Sequence, residues 1–526
     1  MTNLTSYTRM KVGLYGLIFV VLFASGVTLA SYTLLSNIAY NPKQPTGGAE
    51  VFLAPRYYGG QNDLPSGVFD SWTQLLIFGS LSFLILTFGF FLSRRKNLPF
   101  VRFLIIIYLL ALGMEACFLT LTANGFEQLA LQSRSINNGT WSSIQWLSSN
   151  PNFAGHSNLE KLQYIFVVLG GNNAGYTIPG TTHPPGSFLL GIELYHLAQL
   201  LPFPVAYGWG IIVSLLNTML VIVVGLLSRD IFSDSIARRT CLMLIVVPSA
   251  VMHFCAVGAG IPALLVALGA LVMVNALKYL RRLPAGNADI TSLFLYGLAA
   301  GTAFTLAAQV DYGIAFPILA LIISFSLLIH SISWRDKAVF FSGLLLAPVL
   351  YFIFEYYVSG GQLFYPIRAL RITKSVGEGL ASSRPYPLTQ FANFVVMSVM
   401  GGLLFLPTLY FVLNDLVKRV RCAFIHLVLP SHSDRDSVRT FIVLATTLMF
   451  AFLVTQSTVF LEVERTWFWF FPFVWSLMGI FLLALRVTAR RLFPQSSFAR
   501  NWTDWVFYAS QLGVSIVLAM VIMDYY

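Results

Sequence analysis

A chain of 526 residues that is 57% hydrophobic and only 10% charged is not a soluble domain, since soluble proteins carry about 25% charged residues. The mean hydropathy of +0.75 points the same way. The net charge of +11 would suggest nucleic acid in a soluble protein, but here Lys and Arg sit in short loops between apolar runs. The charge therefore reads as topology, with anionic membrane lipid as counter-charge and no nucleic acid partner.

Residues 1–11 are a short polar lead, followed by an apolar run too long for a signal-peptide core, which predicts a retained helix at 12–36. Further spans are predicted at 72–93, 101–121, 205–228, 240–257, 260–278, 290–308, 312–330, 337–357, 391–413, 439–457, 466–485 and 505–523. Each is long enough to cross a hydrocarbon core of about 30 Å. The fold class is all-α, a polytopic integral membrane protein of about thirteen transmembrane helices.

The stretch 187–203 is short and carries Glu193 and His196. If it spans, Arg238/Arg239, Lys278/Arg281/Arg282, Arg335/Lys337, Lys418/Arg419/Arg421 and Arg486/Arg490/Arg491 all fall outside. If it does not, all fall inside, as positive-inside topology requires. The expectation is therefore an amphipathic or re-entrant helix on the outer face. That face then receives loops 37–71, 122–204 and 358–390, whereas the inner face receives short basic connectors and 414–438. Long loops tend to carry function, so chemistry is expected on the extracytoplasmic side of a cell membrane, with a bacterial cytoplasmic membrane favoured. Three parts are expected. Residues 1–100 form an N-terminal two-helix segment with loop 37–71. Residues 101–485 form a core with loops 122–204 and 358–390. Residues 486–526 form a basic connector and last helix.

Four motifs stand on that outer face. Thr182-His183-Pro184-Pro185-Gly186 opens the helix at 187–203. Its prolines suit a helix start, where their missing donors are orphans anyway, and His183 with the free N–H groups of the first turn would face an anion. Glu462-Val463-Glu464-Arg465, followed by Trp467-Phe468-Trp469, stands where an outer loop meets a helix. It reads either as an interfacial anchor or as a clamp on a phosphate or sugar. Segment 358–390 carries Arg368, Arg371, Lys374 and Arg384 against the lone acid Glu378. A basic outer loop runs against the topology rule, and arginine forks suit phosphate oxygens. Asn124-Gly125-Phe126-Glu127-Gln128 follows the third span and offers Glu127 as a general base for an acceptor hydroxyl. Asp63, Asp70, Asp311 and Glu115 are weaker candidates. His156, Glu160, His183, Glu193 and His196 lack the tight spacing of a metal site, so neither metal nor cofactor is expected.

The order of these features resembles the GT-C superfamily of membrane glycosyltransferases, in particular the polyprenyl-phosphate-sugar-dependent branch that includes mannosyltransferases and aminoarabinose transferases. Gly125-Phe126-Glu127 stands where that branch carries an acidic outer loop, and His183-Pro184-Pro185-Gly186 stands where it carries a Lys-Pro-Pro or His-Pro-Pro element. The run from Glu462 to Trp467, with Pro472, resembles a late motif of bacterial members. The resemblance covers roughly residues 100–480. It implies transfer of a sugar from a polyprenyl-phosphate donor to a glycan, lipid or protein acceptor on the outer face. Glu127 would be the base and His183 a partner of the leaving phosphate. Arg368, Arg371, Lys374, Arg384, Glu462, Glu464 and Arg465 would hold substrate. The chain departs from the family at Gly258-Ala259-Gly260-Ile261-Pro262, where an acid is common. A lipid-linked glycan flippase or transporter, a polysaccharide polymerase or ligase, and a non-catalytic scaffold are the competing readings.

Overall fold

The computed structural model describes residues 75–121, 155–163, 185–253, 257–283, 288–330, 332–358, 361, 394, 397–398, 400–426, 434–455, 468–496 and 502–521. The predicted span 12–36 lies outside the described residues. Among the described residues every regular element is a helix. In chain order they are α1 (Ser80–Arg94), α2 (Phe100–Leu121), α3 (Asn158–Gln163), α4 (Pro185–Gln199), α5 (Val205–Thr218) and α6 (Leu220–Ile231). There follow α7 (Asp234–Leu244), α8 (Pro248–His253), α9 (Val257–Arg282), α10 (Ile290–Val310), α11 (Ala315–Leu328) and α12 (Trp334–Val358). The series ends with α13 (Phe405–His426), α14 (Asp434–Thr455), α15 (Phe471–Leu492) and α16 (Thr503–Val521).

Among the described residues, eight helical segments are long and apolar enough to cross a membrane. They include α5 and α6, which run on as one span from Val205 to Ile231. The chain is an all-helical, multi-pass membrane protein. Its outward surface fits that solvent. Val101, Ile105 and Leu109 line an exposed stripe of α2, and Val349, Leu350, Phe352 and Ile353 do the same on α12. Such apolar stripes would be a liability in water but match hydrocarbon.

Three predicted spans differ in the structure. The run 240–257 is two short helices, α7 and α8, separated at residues 245–247. Pro248 has no N–H to continue the ladder, and Val246 and Val247 instead donate to Met243 and Leu244. The run 312–330 yields only the 14 residues of α11 after a short 3-10 turn. The run 391–413 breaks at Gly402, whose φ of 92° is left-handed and favours glycine. Beyond it α13 continues through 426 and α14 begins at Asp434, so much of the expected connector 414–438 is helical. The extension is held by ion pairs. Asp415 is bound by Arg419 at 2.8 Å and by Arg439, and Arg419 also meets Asp436 at 2.8 Å.

Without a hydrophobic drive between helices in lipid, close approach of backbones supplies much of the packing. The α10–α12 crossing shows this. A Cβ at Gly297 would collide with the carbonyl oxygen of Phe340, one at Gly301 with that of Leu344, and one at Gly343 with that of Phe294. Glycines four apart on α10 therefore let α12 lie against its backbone.

The basic clusters gather at one end of the bundle, joined by short contacts. Arg238 donates to the carbonyls of Arg95 and Leu98. Lys278 pairs with Asp230, Arg282 with Asp434 at 3.1 Å, and Arg239 with Asp504 at 3.2 Å. Arg281 reaches the carbonyl of Leu328, and Lys337 that of His330. The helices therefore alternate in direction as the charge pattern demands. The C-terminal ends of α2 and α10 and the start of α4 stand at the opposite end.

Candidate functional site

The candidate site is built at that opposite end, where α4 begins. Pro185 is the first residue of α4, where its missing N–H costs nothing. Gly186 and Ser187 follow and are buried. Gly186 lies against Gln309 on the last turn of α10, so closely that an added Cβ would collide with the Gln309 side chain and stand 3.0 Å from its carbonyl oxygen. Gln309 itself is 8% exposed. The His-Pro-Pro-Gly element thus ends in a glycine locked to the C-terminus of α10.

Asp311 is the C-cap of α10, two residues past Gln309. It is half-buried, and its Oδ1 accepts from the Gly313 N–H at 2.8 Å. That bond fixes the carboxylate in the turn that follows Gln309. Asp311 and Glu115 are the two site candidates on the described residues. Glu127, His183, Arg368, Arg371, Lys374, Arg384, Glu462, Glu464, Arg465, Asp63 and Asp70 all lie outside them.

The rest of α4 is a support. At 15 residues it is about 22 Å long, too short to cross the core. Past the Pro202-Phe203-Pro204 turn the chain folds back, and α4 packs along α5 through Ile192, Leu194, Tyr195, Trp209 and Val213. Gly208 lets α5 approach the carbonyl of Ala198, with an added Cβ at 2.9 Å. Glu193 is exposed, and His196 sits against the Tyr195 ring with Gln199 at 3.4 Å.

Glu160 is likewise occupied locally. Its Oε2 accepts from the Ser157 N–H at 2.7 Å and from the Ser157 hydroxyl at 2.9 Å, while Ser157 Oγ accepts from the Glu160 N–H. This is a capping box at the start of α3, and the bonds from Ser157 hold the Glu160 carboxyl below its ordinary pKa. Among the described residues no group of three or more His, Cys, Asp or Glu could hold a metal.

A second polar cluster lies inside the bundle. Glu115 on α2 is 1% exposed and accepts from Ser214 Oγ at 2.6 Å and Thr218 Oγ1 at 3.2 Å, both on α5. Beside it Asn217 is fully buried against Gly260 of α9, where a Cβ would collide with the Asn217 amide. The segment 258–262 is thus closed against α5 at Gly260, with no room there for a longer side chain. In the sequence Glu115 stands out only as a weaker candidate, an acid within a span; its hydroxyl partners, about 100 residues away, were not legible.

No protein-family model matches the chain, and no curated protein matches it. Among solved structures it is similar to the archaeal oligosaccharyltransferase AglB from Archaeoglobus fulgidus in complex with an inhibitory peptide and a dolichol-phosphate, at 12% identity and a TM-score of 0.40 over 75% of this chain and 55% of that one. The apo form of the Archaeoglobus fulgidus oligosaccharyltransferase matches at 11% identity and a TM-score of 0.38, over 76% and 56%. Its complex with zinc and sulfate matches at 12% identity and 0.39, over 76% and 53%. The chain spans about half the length of the solved structures it matches.

Proposed function

We propose that the chain is a membrane glycosyltransferase that moves a sugar from a polyprenyl-phosphate donor to an acceptor, at the end of the bundle opposite its basic clusters. The observation that carries this reading is the contact of Gly186 with Gln309. It joins the end of the His183-Pro184-Pro185-Gly186 element to the turn that holds Asp311. A carboxylate and a phosphate-facing motif are what such a transfer needs in one neighbourhood.

In this reading the acceptor oxygen attacks the anomeric carbon, the bond from that carbon to the phosphate oxygen breaks, and polyprenyl phosphate leaves. Glu127 takes the acceptor proton, with Asp311 as the second candidate base. His183 donates a hydrogen bond to the leaving phosphate, and Arg368, Arg371, Lys374 and Arg384 neutralise it. Glu462, Glu464 and Arg465 orient donor or acceptor. Positive-inside topology would put this end on the extracytoplasmic side. A lipid-borne donor meets the protein at the membrane edge, where the α4 start and the Asp311 turn stand.

The test is release of polyprenyl phosphate from a panel of radiolabelled polyprenyl-phosphate sugars by protein reconstituted in lipid. His183→Ala lowers turnover, with the thermal midpoint unchanged. Turnover of a donor that survives His183→Ala unchanged removes the motif from the chemistry.

A further inference from the structure

At the basic end, α1, α7, α15 and α16 enclose a cavity of about 400 Å³. Five cations line it, Arg94, Lys96, Arg238, Arg239 and Arg486, against two carboxylates, Asp234 and Asp504. Both acids are already engaged. Asp234 pairs with Arg229, outside the cavity, at 2.8 Å. Asp504 is shared by Arg239 at 3.2 Å and Arg486 at 3.9 Å. The cavity therefore holds a formal excess of three positive charges, partly withdrawn from water.

Like charges held together away from solvent are costly without a counter-charge. The arginines are nonetheless fixed. Arg94 lies over the Phe90 ring at 4.3 Å, Arg238 over Phe103 at 4.8 Å, and Arg239 also bonds Ser235 at 2.9 Å. Arg486 Nε is buried and makes no hydrogen bond among the described residues. Guanidinium forks held in place are suited to tetrahedral oxyanions. Basic pockets between membrane helices hold phosphate headgroups on the same physical grounds. The other polar cluster of this end, around Asp415, is balanced internally by its own ion pairs.

We propose that this cavity is a phosphate-binding site, separate from the end that carries Asp311, and filled by a phosphate group of an anionic lipid or of a soluble phosphate compound. The inference does not depend on the transferase reading.

Two arms separate the sources. Inorganic phosphate is titrated into protein in phosphatidylcholine nanodiscs at constant ionic strength, and phosphatidylglycerol is titrated as a fraction of the nanodisc lipid. The thermal midpoint and native mass spectrometry of retained lipid are read. A saturable response to phosphate identifies a soluble ligand, and one confined to phosphatidylglycerol identifies a headgroup. In either case Lys96→Gln and Arg486→Gln each raise the half-saturating concentration about fivefold or more. Lys96 is exposed at the rim, so its variant keeps the test valid should Arg486→Gln fail to fold. No saturable response from the wild type, or equal half-saturation in wild type and Lys96→Gln, overturns the proposal.

Discussion

Gly186 and Gln309 stand so close that the glycine has no room for a side chain: an added Cβ collides with the glutamine side chain and stands 3.0 Å from its carbonyl oxygen. This contact sets where α4 begins relative to the Asp311 turn. Gly186→Ala should therefore cost about 1–2 kcal/mol by overpacking and shift α4 away from α10. Gly513 on α16 has open space at the same position, so Gly513→Ala serves as the control. The expected result is a lowered thermal midpoint for the first variant only; equal midpoints would mean that α4 and α10 move apart at no cost.

The α10–α12 crossing is less forgiving, because the atoms met by a Cβ at Gly301 are backbone atoms of Leu344. No rotamer change relieves that overlap. Gly301→Ala should cost about 3 kcal/mol, near the top of the usual overpacking range. Denaturant titration in mild detergent measures it, and a loss below that for Gly186→Ala would show that α12 is free to slide.

Asp415 is 4% exposed and faces both Arg419 and Arg439. Removing one partner of a buried ion pair leaves uncompensated charge, at about 3–5 kcal/mol. Asp415→Ala should lose stability on that scale, whereas Arg282→Ala, whose pair with Asp434 is largely solvent-exposed, should lose about 1 kcal/mol or less. Comparable losses in the two variants would contradict the assignment.

Asp289 caps α10 by accepting the Ser292 N–H at 2.8 Å. Hydrogen bonds from Ser292, its hydroxyl first and then its N–H, hold the Asp289 carboxyl below its ordinary pKa. A depressed carboxylate stabilises the fold above the unfolded pKa of about 3.9 and loses that stabilisation as pH falls through the lower folded value. The difference in thermal midpoint between wild type and Asp289→Asn should therefore change below about pH 4 and stay flat above pH 6. A difference that is flat throughout would show that the cap is not ionised in the folded protein.

Much of the fold was legible because membrane helices announce themselves by length and apolarity. Spans such as 101–121 and 290–308 differ from α2 and α10 by only a few residues. The charge pattern also resolved 187–203, whose helix α4 is short and folds back on α5. Other features were hidden for physical reasons. Arg238 and Arg239 read as a solvated connector, yet both are buried in α7, because Asp504 lies 265 residues away in sequence. Pro248 marked the break in 240–257, but apolarity outweighed it. The Gly297-x-x-x-Gly301 spacing was a readable signal for close helix approach. At the site, the placement of Gly186 beside Gln309 needed a long-range contact that no local pattern encodes.

The most direct test of the transferase account is donor turnover by the reconstituted wild-type chain beside Glu127→Gln and Asp311→Asn, each matched for thermal midpoint. The account predicts release of polyprenyl phosphate from at least one donor by the wild type. It also predicts a fall of about 100-fold or more in one of the two variants, the loss expected for a general base. Turnover of no donor by the wild type, or turnover undiminished in both variants, would contradict it.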